Sequence, residues 1–214
     1  MPRAIKGGAC VAGNVSYLKR MTFITLTMRR LIAASLFLLM LAGLAQADQN
    51  GSRDHASLDR LFADLAVAAS DDESQAIVQD IWAYWLIDTD DSMNIRMMRN
   101  GIGLMQMMDL RNAEDTFTRV INRDENFTEA WNKRATIRYM MGNFDGSESD
   151  IAEVLKREPR HFGALSGLAM INIKRGDLQT ALTLYENILL IHPRNRDALT
   201  LIPELRKTLQ GDPA

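Results

Sequence analysis

Arg134 and Arg138 are the residues whose type and spacing in this chain most suggest chemistry. Two guanidinium groups four positions apart fall on one face of a helix. A pair of planar forks there forms an anion or carboxylate receptor at the edge of a groove. The competing expectation is internal pairing with acids of a neighbouring helix, such as Glu114 or Asp115, because a buried guanidinium needs a fixed carboxylate. Met93, Met97, Met98, Met105, Met107 and Met108 offer a second chemistry, thioether ligation of copper. Their helical spacing and the adjacent Gly101 and Gly103 favour packing instead. Asp88, Asp90 and Asp91 begin like a calcium loop, but Met93 occupies the glycine position and no glutamate closes the loop. His55, His161 and His192 are scattered, and neither a serine nor a cysteine nucleophile lies in a recognisable motif. These residues imply a protein that holds a partner rather than transforms a substrate: not an enzyme, with no cofactor and no metal.

Charge and hydropathy divide the chain at one point. Arg29 and Arg30 precede an apolar run from Leu31 to Leu44 that ends in Ala45-Gln46-Ala47. A basic stretch, a short apolar run and small residues around a cleavage point describe an export signal over 28–47. The run is shorter than the roughly 20 residues a membrane span requires. Cleavage after about Ala47 then leaves a periplasmic mature chain with no stable membrane span. Residues 1–27 fit this scheme poorly, so Met28 or Met21 is the preferred start, with a long extension from Met1 as the alternative. All six basic residues before Asp48 lack an acidic neighbour, and the remainder carries 19 bases against 27 acids. An acidic module is a poor binder of nucleic acid, whose affinity rests on neutralising phosphates. The one cysteine, Cys10, precedes the cleavage point, so the mature chain forms no disulfide.

The elements that position these residues follow from a repeat. Trp131, Ala135, Gly142, Phe144, Ile151, Val154 and Pro159 recur at one constant offset as Leu165, Ala169, Gly176, Leu178, Tyr185, Ile188 and Pro193. That offset, about 34 residues, is a period of helical-hairpin repeats. Each window is a hairpin that cannot cover its own apolar face, so neighbours must stack. Repeats are expected at 94–127, 128–161 and 162–195, closed by an amphipathic helix over 196–210 that Pro203 kinks or restarts. The first repeat is the least regular: Glu125 replaces the proline, and Gly101 and Gly103 weaken its first helix unless close packing compensates. Upstream, 48–55 is a polar leader. Leu58, Leu61, Phe62, Leu65 and Val67 predict one helix, and Ser70 with Glu73 forms a capping box for a second that carries Ile77, Ile81, Trp82 and Trp85. This hairpin over 56–93 is expected to act as a degenerate repeat or N-terminal cap, with Trp82 and Trp85 sealing it against the next repeat.

The residues at these spacings resemble the tetratricopeptide repeat (TPR) family, and the whole chain looks like small exported members from alphaproteobacteria. The match spans about 94–210; Ser147 stands where alanine is usual. The resemblance implies an all-α, right-handed helical solenoid of antiparallel hairpins with a C-terminal capping helix. It also implies that first helices line a concave groove. The groove candidates are then Arg99 in the first repeat, Asn132, Lys133, Thr136, Tyr139 and Met140 in the second, and Met170 and Lys174 in the third. Some members clamp a partner's C-terminal carboxylate with lysines and asparagines at positions that here hold Met98, Ile102, Lys133, Gly163 and Gly167. One cation survives, so that clamp is absent.

The expected function is a non-catalytic adaptor or scaffold in the periplasm, holding a protein or peptide segment in the groove and supporting the cell envelope. The alternative is a structural envelope protein that self-associates through the aromatic hairpin of 56–93.

Overall fold

The computed structural model describes residues 55–211; the expected export signal over 28–47 and most of the expected polar leader lie outside them. Among the described residues there are nine helices and no strand. Six helices form three hairpins: α3 (Ser92–Gln106) with α4 (Leu110–Arg123), α5 (Thr128–Met140) with α6 (Phe144–Arg157), and α7 (Phe162–Arg175) with α8 (Leu178–Ile191). They follow α1 (His55–Val67) and α2 (Asp71–Leu86), and α9 (Arg196–Leu209) closes against α8. Helix α9 runs on through Pro203 as one element.

Several helix starts have a local cause. Asp91, Asn143, Asp177 and Asn195 accept a backbone N–H in the first turn of α3, α6, α8 and α9, satisfying donors that a helix start leaves free. Ser70 does the same for Glu73 at the start of α2, while the Glu73 carboxylate accepts from Ala69 at 2.7 Å. The turn inside each hairpin requires a left-handed residue. Gly142 and Gly176 supply it at φ +78° and +82°, and in the first repeat Met108 adopts φ +60° at the equivalent place.

Apolar burial divides into linked clusters along the stack. Met98, Ala113, Phe117, Val120, Phe127 and Ile137 fill the first repeat and its junction with the second. Ala135, Ile151, Val154, Ala164 and Ile171 join the second to the third. Trp131 packs between these two clusters while Leu165 belongs to the third. The two glycines of α3 differ in role. A Cβ on Gly101 would fall 2.7 Å from the Phe117 ring, whereas one on Gly103 meets nothing within 4 Å. Close packing therefore compensates for the first glycine only.

The first hairpin departs from the sequence expectation. Rather than preceding the stack as another repeat or cap, α1 lies against α8 and α2 lies against α5. Leu58, Phe62, Leu65, Ile81 and Trp85 share a core with Phe162, Leu165, Tyr185, Ile188 and Ile202. Trp82 and Trp85 seal the hairpin against the start of the third repeat, not the first. Their partners explain the choice. Trp85 stacks on His161 at 3.9 Å and 12°, and Trp82 meets Phe162 edge-on at 5.6 Å. The turn at 158–163 thus supplies an aromatic seat for the pair.

Candidate functional site

First helices α3, α5 and α7 line one side of the stack, and a cavity lies between the last two. It encloses about 320 Å³. Asn132, Thr136, Tyr139 and Met140 come from α5, while Gly163, Ser166, Gly167 and Met170 come from α7. Ala135, Ala164, Ser147 and Ile151 complete the lining. Ser147, at the family's usual alanine position, donates its hydroxyl to the Ala135 carbonyl at 2.8 Å, so its polarity is satisfied within the wall. No charged side chain lines this cavity. Met140 and Met170 stand half-exposed at its mouth.

Five of the sequence-selected residues, Asn132, Thr136, Tyr139, Met140 and Met170, therefore come together. Arg99 and Lys174 are exposed on α3 and α7 and do not border the cavity. Lys133 is close by but engaged: its ammonium lies 2.9 Å from Glu129 and 5.1 Å from the Trp82 ring centroid. Glu129 is fully buried. Burial alone would raise its pKa, but the hydrogen bond from His161 and the charge of Lys133 outweigh it and hold the carboxyl below its usual range. His161 Nδ1 accepts the Ala164 backbone N–H at 3.1 Å, which leaves Nε2–H to donate to Glu129 at 3.1 Å. One imidazole thus caps α7 and anchors a buried carboxylate.

Arg134 and Arg138 are satisfied inside the chain. Arg134 donates two bonds to Asp150, at 2.9 and 2.7 Å, and a third to Thr118. Arg138 bonds Glu114 at 2.7 Å, Asp150 at 3.0 Å and the Gly146 carbonyl. The geometry follows the internal-pairing expectation at Glu114, with Asp150 as the central acid and Asp115 outside the network. Asp150 carried a readable signal. It interrupts the buried stripe Ser147, Ile151 and Val154 of α6, and an acid on such a stripe requires a basic partner.

A second set of residues escaped sequence reasoning altogether. Arg160 bonds Asp59 at 2.7 Å and lies over the Phe62 ring at 4.2 Å. Arg194, its counterpart one repeat later, bonds the Ala68 and Ala69 carbonyls and Asp71. Both fasten the first hairpin to the turns between repeats, and their recurrence in step with the repeat was the available signal. Among the described residues, no group of three or more His, Cys, Asp or Glu side chains is placed to hold a metal ion, and no helix is long and apolar enough to cross a membrane.

Stacked antiparallel hairpins in regular register, with a concave first-helix face, define the class: a helical solenoid of the kind that serves as a protein-interaction module. No family model matches the chain. A TPR repeat-containing protein of Rhizobium etli is 34% identical over 155 residues, covering 72% of this chain and 76% of that protein. The chain belongs to the tetratricopeptide repeat family. Solved TPR domains share the fold. The first TPR domain of Spaghetti (RPAP3), bound to the HSP90 peptide SRMEEVD, has a TM-score of 0.54 at 19% identity over 58% of this chain and 98% of that one. The Arabidopsis OM64 TPR domain has a TM-score of 0.52 at 16% identity over 54% of this chain and 95% of that one.

Proposed function

We propose that this protein is a non-catalytic adaptor of the periplasm that holds a segment of a partner protein in the groove between α5 and α7 and so supports the cell envelope. The observation that carries the reading is the uncharged cavity of about 320 Å³ on the first-helix face, within the size range of preformed ligand sites, about 300–1,000 Å³. Solved relatives of this fold hold short peptides, as the RPAP3 domain holds SRMEEVD. The periplasmic part of the proposal rests on Arg29, Arg30, the apolar run to Leu44 and Ala45-Gln46-Ala47. The alternative, self-association through the aromatic hairpin, gains no support from Trp82 and Trp85, which pack against His161 and Phe162 of the same chain.

The test is crosslinking in the native envelope, with capture by wild type compared with Met140→Asp and Met170→Asp. Both variants should keep their helical content and lose the captured partner. Unchanged capture by both would refute the groove. Fractionation and the mass of the mature chain test the location: a periplasmic product beginning near Asp48 is expected, and a cytoplasmic full-length chain would overturn it.

A further inference from the structure

Helix α2 and the segment just beyond it are laid across the turns between repeats, so that one short stretch of chain touches every junction of the stack. The segment just beyond its C-terminus reaches the first junction, where Thr89 donates to Asp124 at 2.8 Å. Trp85 stacks on His161 at the second junction. At its N-terminal end, Ser74 bonds His192 at 2.9 Å at the third. On this path Trp82 reaches Gly163 at the edge of the groove. A Cβ on Gly163 would fall 2.7 Å from Trp82 Cη2, and the Lys133 ammonium lies over the same ring. Gly163 is also part of the cavity lining. Lys133 and Gly163 stand at two of the positions where carboxylate-clamping members place side chains that grip a partner's terminus.

Resting on the groove reading above, we propose that Trp82 is the specificity-determining residue of this groove. It fills the place an acidic terminus would take and leaves the cavity for an uncharged, apolar side chain from an internal segment of a partner. Charge supports the choice of occupant. Lys133 is covered by the Trp82 ring as well as paired with Glu129, and Arg134 and Arg138 are matched by Asp150 and Glu114. A carboxylate entering the cavity would lose its hydration with no cation to replace it. Size supports it too, since a cavity of about 320 Å³ lies at the small end for ligand sites and suits a side chain rather than a whole helix. Met140 and Met170 at the mouth adapt to apolar shapes because the thioether side chain is flexible and polarisable.

Two fluorescent probes of comparable bulk test this on the full chain: neutral Nile red and anionic 8-anilinonaphthalene-1-sulfonate. Wild type should prefer the neutral probe by about tenfold. Trp82→Ala, which uncovers Lys133 and the space over Gly163, should cut that preference severalfold, with Trp82→Phe intermediate. Met170→Asp should lose Nile red. An equal preference in wild type and Trp82→Ala, a wild-type preference for the anion, or no Nile red uptake by wild type would each overturn the role of Trp82. If Met170→Asp instead keeps wild-type uptake, the groove assignment fails independently of Trp82. Far-ultraviolet circular dichroism establishes that each variant retains its helices. Should Trp82→Ala lose them, the Trp82→Phe preference decides the matter alone: narrower than wild type supports the proposal, and unchanged refutes it.

Discussion

Asp150→Ala is the substitution with the most direct physical consequence. Asp150 is 1% exposed and takes two hydrogen bonds from Arg134, itself 8% exposed, and a third from Arg138. Removing the carboxylate leaves Arg138 with Glu114 and the Gly146 carbonyl, so its loss is small. Arg134 keeps only the Thr118 hydroxyl and its position over the Trp131 ring, 4.9 Å away. Breaking a buried ion pair on one side costs about 3–5 kcal/mol, because the remaining charge stays desolvated. The expected loss for Asp150→Ala is therefore about 3 kcal/mol, toward the lower end because Thr118 and the indole face remain. Asp150→Asn keeps an acceptor and should lose about 2 kcal/mol. Urea unfolding followed by far-ultraviolet circular dichroism measures both. Replacing the pair together, Arg134→Met with Asp150→Leu, should recover stability to within about 1 kcal/mol of wild type, since an apolar pair of similar volume carries no desolvation cost. A loss below about 1 kcal/mol for Asp150→Ala would refute the argument, because it would mean that Arg134 is hydrated and free to meet an external anion.

Three further outcomes follow from the packing. Gly103→Ala should stabilise the chain by up to about 1 kcal/mol, while Gly101→Ala should destabilise it by about 1–3 kcal/mol because its Cβ meets Phe117; thermal melts that move both variants the same way would contradict this. Met108→Gly should raise stability by roughly 1 kcal/mol, since it relieves a left-handed backbone at φ +60°, and an unchanged melt would mean that the side chain offsets the strain through contacts. Burial depresses the pKa of His192, so the unfolded chain binds more protons than the folded one between the folded value and about 6.5. Stability should be complete above about pH 6.5 and decline as pH falls through the folded value; His192→Gln should flatten that part of a pH series of urea melts, and an identical slope would refute the assignment.

The stack was legible because it is written in local periodicity. Trp131, Ala135, Gly142, Phe144 and Pro159 and their counterparts one period later encode hairpins through turn chemistry and apolar spacing alone. The site was half legible for the same reason: Asn132, Thr136, Tyr139, Met140 and Met170 occupy register positions, and register determines which face they share. Pairing across elements was not encoded that way. Lys133 presents itself as a free cation in the sequence because nothing near it in the chain announces that Glu129 will be buried against His161, in the next inter-repeat turn. The placement of the first hairpin was the least legible. Its partners Asp124, His161, His192 and Arg194 lie in inter-repeat turns, and the aromatic residues of α2 fit a stacked repeat as well as a strap.

That strap changes what kind of solenoid this is. In a simple repeat array each unit touches only its neighbours, stability is a sum of local terms, and end units can open alone. Here Thr89, Trp85 and Ser74 connect one short stretch of chain to three successive junctions, and Leu58, Phe62 and Leu65 enter the core of the last repeat. Releasing any single repeat therefore strips contacts from α2 or the segment just beyond it as well as from the adjacent hairpin, which couples the units that nearest-neighbour stacking would leave independent. The same contacts restrain the relative rotation of α5 and α7, because α2 is fastened to both through Trp82, Trp85 and the Lys133–Glu129–His161 group. A groove whose two walls are tied together opens little on binding, so an incoming segment loses less affinity to reorganisation of the receptor. The hairpin that does not repeat is thus what gives the repeating part a preformed groove of defined width.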